Sequence, residues 1–103
     1  MSLATVSEYS TVYVAASGDA AIAKEPALVE QPDVPISGAS ASSAAFSAAT
    51  RFVRVNVDVN CRAKFGAPGT TALATASKRM TAGATEYFAV DAGGVVAFIA
   101  SAT

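Results

Sequence analysis

The sequence predicts an all-β chain folded as an antiparallel β-sandwich, or its jelly-roll variant, with an extended proline-rich edge segment. Three observations carry that prediction. Residues 51–65, RFVRVNVDVNCRAKF, alternate with period 2: Val53, Val55, Val57, Val59, Cys61, Ala63 and Phe65 face one way, and Arg54, Asn56, Asp58, Asn60, Arg62 and Lys64 the other. Clusters of Gly and Pro interrupt the chain at short intervals and leave room for about six to eight short strands. No segment sustains a helical period over about ten residues. At 103 residues the chain is a single domain, 1–103.

Taken in order, residues 1–8 are small and polar and read as an N-terminal arm. Residues 9–16, YSTVYVAA, alternate well enough for a first strand, although both faces carry β-formers. Ser17, Gly18 and Asp19 signal a turn, and residues 20–24 read as the returning strand of a hairpin. Residues 25–36 hold prolines at 26, 32 and 35. Proline lacks a ladder donor and fixes φ, so this is an extended edge segment anchored by Leu28, Val34 and Ile36, not a central strand. Residues 37–43 form a loop, and residues 44–50 a short strand or coil that delivers Phe46 to the core.

The strand at 51–65 follows, its β-branched residues losing little rotamer freedom on a pleated surface. Gly66, Ala67, Pro68 and Gly69 end it in a turn, and residues 70–77 make a loose strand or a loop. Residues 78–80 lead into a second turn at 81–83. Residues 86–90, EYFAV, are a strand with Phe88 and Val90 inward; Asp91, Ala92, Gly93 and Gly94 then make a tight hairpin connection. The last strand, VVAFIA at 95–100, is apolar on both faces and is covered on two sides or lies in a subunit interface.

Composition bears on how that sandwich is stabilised. Hydrophobic residues make up 52% of the chain, but 25 residues are alanine, so only about half of the apolar set is larger than a methyl group. Backbone ordering costs about 1–2 kcal/mol per residue, and a fully buried Val, Leu, Ile or Phe returns about 1.5–3 kcal/mol. The margin of an isolated chain is thin, and part of the apolar exterior is expected to meet other subunits. Charge is also unevenly placed: Lys24 against Glu8, Asp19, Glu25, Glu30 and Asp33 leaves the first half at −4, and the second half, from Arg51, is +3. Opposite halves of this kind attract within a chain or between neighbours.

The residues offer little chemistry. There is no histidine, which excludes Ser-His-Asp and Cys-His arrangements and the commonest transition-metal ligand. A lone Cys61 cannot make an internal disulfide or a thiolate zinc site, and it lies in phase with the inward valines. The glycines form no phosphate loop, and no calcium-loop spacing occurs. The reading is therefore of a non-enzymatic chain with no catalytic, metal or cofactor residues. With net charge −1 and no tryptophan, neither nucleic acid nor membrane is an expected partner.

Two stretches carry a resemblance: AAFSAATRFVRVNVDVNCRAKFGAPGTTA at 44–72 and MTAGATEYFAVDAGGVVAFIA at 80–100. The Thr-Arg-Phe-Val-Arg-Val run, the Cys-x-x-x-Phe-Gly turn and the Ala-Gly-x-x-Glu-Tyr-Phe-x-Val segment resemble small structural proteins of tailed bacteriophages and prophages. About half of the chain is covered, and Gly94 and Val95 stand where those proteins often have a charged residue.

The resemblance implies a virion component. A sandwich of this size with an underfilled core is then expected to act as a capsid decoration or cement protein, made in the bacterial host cytoplasm and resident on the capsid surface. Its expected partners are itself, as a homo-oligomer with a trimer favoured, and the major capsid protein. Expected contact residues are Val95, Ala97 and Ile99 between subunits and, for the shell, either the arm at 1–8 or the proline-rich stretch 25–36 with Leu28, Val34 and Ile36. The alternatives are a tail, head-to-tail adaptor or fibre-base subunit, and a carbohydrate-binding sandwich module.

Overall fold

The computed structural model describes residues 2–14, 21–23 and 25–101, and among these there is no helix. The strands are β1 (Leu3–Tyr9), β2 (Val12–Val14), β3 (Ala21–Ala23), β4 (Val29–Glu30), β5 (Val34–Pro35), β6 (Ala41–Ser42), β7 (Phe52–Val57), β8 (Cys61–Gly66), β9 (Lys78–Met80), β10 (Thr85–Ala89) and β11 (Val95–Ala100). Two antiparallel sheets pack face to face as a β-sandwich. One has the order β10-β7-β1-β4, with β5 also on β1; the other runs β6-β11-β8-β9. The β2–β3 pair forms a separate two-stranded ribbon, Val12 opposite Ala23 and Val14 opposite Ala21, which is the hairpin expected there. The turn expected at 17–19 lies outside the described residues.

Alternation fills the space between the sheets. Val53, Val55 and Val57 on β7 and Ala4 and Val6 on β1 meet Cys61, Ala63, Met80, Val96 and Phe98 from the opposite sheet, with Phe46 closing one end. Phe46 arrives on a coil, its N–H donating to Gly94 O and its carbonyl accepting from Gly93 N–H.

The strand read as continuous over 51–65 is two strands of opposite sheets. The chain leaves β7 at Val57, passes through Asp58, Val59 and Asn60, and enters the second sheet at Cys61. Inward residues keep their parity across this arch, so the period-2 pattern survives the crossing. Asp58 and Asn60 hold the corner: Asp58 Oδ1 accepts from Leu3 N–H at 2.8 Å, and Asn60 Oδ1 from Ala82 N–H at 2.8 Å.

Residues 1–8, read as an arm, are corrected by β1, which lies in the middle of its sheet between β7 and the β4–β5 edge. Its core face is Ala4, Val6 and Glu8, cross-strand from Val57, Val55 and Val53. The buried Glu8 carboxylate explains the misreading, because a polar residue stands where alternation calls for an apolar one. Its Oε1 accepts from Ser47 N–H (2.7 Å) and Thr50 Oγ1 (2.6 Å), and its Oε2 from Gln31 Nε2 (2.8 Å). Gln31 Oε1 in turn accepts from Ala44 N–H at 2.9 Å. Glu8 thus ties the 44–50 coil and the turn between β4 and β5 to the central strand.

The hairpin expected at 91–94 is also corrected. Gly93 does take a positive φ of 79°, yet β10 pairs with β7, and β11 with β8 and β6. The turn carries the chain from one sheet to the other. Residues 78–80, read only as a lead into a turn, form the edge strand β9. The proline segment behaves as expected: β4 and β5 are two-residue pieces laid along β1, with Val34 and Ile36 buried.

Candidate interaction surfaces

Among the described residues, exposed charged and aromatic side chains gather on outer sheet faces and at sheet edges. Among the described residues no group of three or more Cys, Asp or Glu is placed to hold a metal ion. Cys61 is fully buried, and burial, with a smaller contribution from the Asp58 charge, pushes its thiol up to about 11. A neutral, enclosed thiol is a packing group and not a nucleophile. On the native protein a thiol reagent at neutral pH is expected to label Cys61 no faster than the chain opens, and at once in denaturant; stopped-flow labelling measures both.

The same burial sets an alkaline limit. Because the folded thiol holds its proton above the ordinary value of 9.0, stability is complete below pH 9 and falls as pH rises from 9 towards about 11. Tyr9 follows from 10.0 towards about 12, its phenol raised by burial and by donating to Glu25 Oε2 at 2.6 Å. Melting temperature against pH is therefore expected to drop through this range, and Cys61→Ala to remove the part that begins near pH 9.

On the outer face of the five-stranded sheet, Tyr9, Phe52 and Tyr87 form a row across β1, β7 and β10. Tyr9 and Phe52 stack with centroids 5.2 Å apart and an 11° interplanar angle; Phe52 and Tyr87 are tilted at 6.4 Å. Tyr9 is covered, whereas Tyr87 is 56% exposed and stands cross-strand from Arg54.

The outer face of the other sheet is basic. Arg62 on β8 is directly opposite Arg79 on β9, and Lys64 lies two residues along on the same face. Arg62 Nη1 donates to Ser77 O at 3.0 Å, and its Nε is buried without a partner. The opposite lateral edge, residues 25–35, is acidic, with Glu25, Glu30 and Asp33 exposed. Among the described residues the only ion pair is Lys78 with Glu86, at 3.9 Å.

A groove of about 590 Å³ opens at the end of the sandwich, between the 66–68 turn and the 91–94 arch, floored by Phe46, Phe65, Val90 and Val95.

The six contact residues expected from sequence do not come together. Val34, Ile36, Val95 and Ala97 are buried inside the chain, Leu28 is 44% exposed, and Ile99 is half-buried. Ala97 is covered from outside by the loop after β8. Its cross-strand neighbour Ser42 donates to Thr70 O at 3.4 Å, and Ala72 N–H to Ser40 Oγ at 3.0 Å, which draws that loop across the sheet. On the outer face of β11, Val95 and Ala97 are therefore covered within the chain, while Ile99 is half-buried.

The alternation at 51–65 put Arg62 and Lys64 together on the polar side but gave no sign of their Arg79 neighbour. That juxtaposition comes from a pairing of β8 with a strand having a single inward residue, Met80. Compared with protein-family models, with curated proteins and with solved structures, the chain finds no match.

Proposed function

We propose that this chain is a non-enzymatic decoration or cement protein of a bacteriophage capsid, one that stabilises the head by bridging major capsid subunits. The observation that carries the reading is the resemblance of residues 44–72 and 80–100 to tailed-phage structural proteins. The character of the exterior is in keeping with it. Ala44, Ala45, Ala48 and Ala49 are exposed around the anchor Phe46, acidic and basic groups occupy separate edges, and the one thiol is sequestered. Separate acidic and basic edges of this kind steer association and fix its register.

The test is to mix purified protein with heads lacking their decoration and to count bound copies by cryo-electron microscopy. Hundreds of copies per particle are expected for cement. A dozen or fewer would move the chain to the tail or head-to-tail adaptor, and none would overturn a virion role. The carbohydrate-binding alternative draws on the exposed Tyr87 beside Phe52 and Arg54, since sugars stack on such rings. Specific retention on a glycan array, lost in Tyr87→Ala, is the result that would favour it.

A further inference from the structure

The two charged surfaces lie at opposite lateral edges of one sandwich. β9 ends its sheet beside β10, as the Lys78–Glu86 pair and the Lys78 ammonium 5.4 Å over the Phe88 ring establish. At the far side, β4 and β5 end the other sheet, with β6 packed against β5. One edge presents Glu25, Glu30 and Asp33; the other presents Arg62, Lys64 and Arg79.

Among the described residues no ion pair neutralises either patch. Like charges directly opposite on paired strands are destabilising, and Arg62 with Arg79 is such a pair with no carboxylate of the described residues within ion-pair distance. The buried, unpartnered Nε of Arg62 adds a second unmet demand on the same face. On the acidic side, two-residue strands and Pro26, Pro32 and Pro35 suppress pairing with a further strand, so attraction through side chains is what that edge offers.

We propose that the chain associates head to tail with copies of itself, the acidic proline-bearing edge of one copy seated on the basic β8–β9 face of the next. Because the two patches differ and lie on opposite sides, the contact is heterologous, and successive copies close a ring or extend a chain. The attraction is between exposed charges and weakens with salt. The proposal rests on the self-assembling part of the reading above and is independent of the shell.

Sedimentation velocity on the full chain tests it, with circular dichroism to confirm that each variant folds. Wild type is expected to be an oligomer in low salt and to shift to monomer in high salt. Lys64→Glu with Arg79→Glu, and separately Glu30→Lys with Asp33→Lys, are expected to be monomeric; all four residues are exposed, so folding is spared. Combining the four reversals exchanges the signs of the edges and is expected to restore the oligomer. A monomeric wild type in low salt, oligomers that survive either double reversal, or failure of the combined variant to reassociate would each overturn the proposal. A monomeric wild type retained on a polyanion column would overturn it too, and would assign the basic face to an anionic polymer. No head is present in this experiment, so its failure leaves the copy-number test of the decoration reading untouched.

Discussion

Val57→Asp is expected to yield no folded protein. Val57 is fully buried on β7, cross-strand from Ala4, with its own N–H and C=O committed to Ala84 and Gly83. A carboxylate there has neither water nor a cation, and enclosing an unpaired charge costs more than about 4 kcal/mol, comparable to the whole stability of a small domain. Far-ultraviolet circular dichroism and a collapsed urea transition read the loss. Asp58→Asn, one residue along on the exposed side of the arch, keeps a carbonyl oxygen for Leu3 N–H. It is expected to change stability by less than about 0.5 kcal/mol. Equal behaviour of the two variants would mean that the inward parity of β7 is wrong.

Glu8→Ala is expected to cost roughly 2–6 kcal/mol, because it leaves the donors of Ser47 and Thr50 unpaired at about 1–3 kcal/mol each, while Gln31 Nε2 keeps only Ala44 O. Glu8→Gln is a sharper probe. Its amide oxygen can serve Ser47 and Thr50, but its amino group then confronts the amino group of Gln31. Rotating Gln31 would forfeit its bonds to Ala44 N and O. An intermediate loss is therefore expected, with an added Gln31→Glu recovering only part of it, since the oxygen that replaces Nε2 accepts from the new amide at position 8 but is left facing Ala44 O. Urea denaturation of the set measures the order; a silent Glu8→Ala would mean that the knot does not organise the 44–50 coil.

Most of the fold was legible in the valines. Their alternation gave the inward face of β7 and β8 correctly, residue by residue, and the three prolines placed 25–36 at a sheet edge. What alternation cannot show is the identity of the partner strand. An arch of Asp58, Val59 and Asn60 returns the chain to the opposite sheet with the same parity, and the poor β-formers at 58 and 60 were the only local signal of it. The glycines at 93 and 94 likewise announce a reversal and are silent on whether it joins neighbours in one sheet or crosses between two. β1 escaped notice for a different reason: Glu8 looks like a solvated acid until the three donors that converge on it, from distant parts of the chain, are brought together.

The interaction surfaces were less legible still. Arg62, Lys64 and Arg79 become one face only when β9 is laid beside β8, and the outward Ala97 is covered only where the loop held by Ser40 and Ser42 crosses the sheet. Both are products of tertiary pairing, to which local composition is blind.

The position of β1 has a consequence for folding. It is central in its sheet, and its long partner is distant in the chain, Phe52 meeting Tyr9 at the nearest and Val57 meeting Ala4 at the farthest. Until that pairing closes, Val6 lacks its cross-strand valine and Glu8 lacks the donors of Ser47 and Thr50. Assembly of the core is therefore of the slow, non-local kind, on the order of milliseconds to seconds.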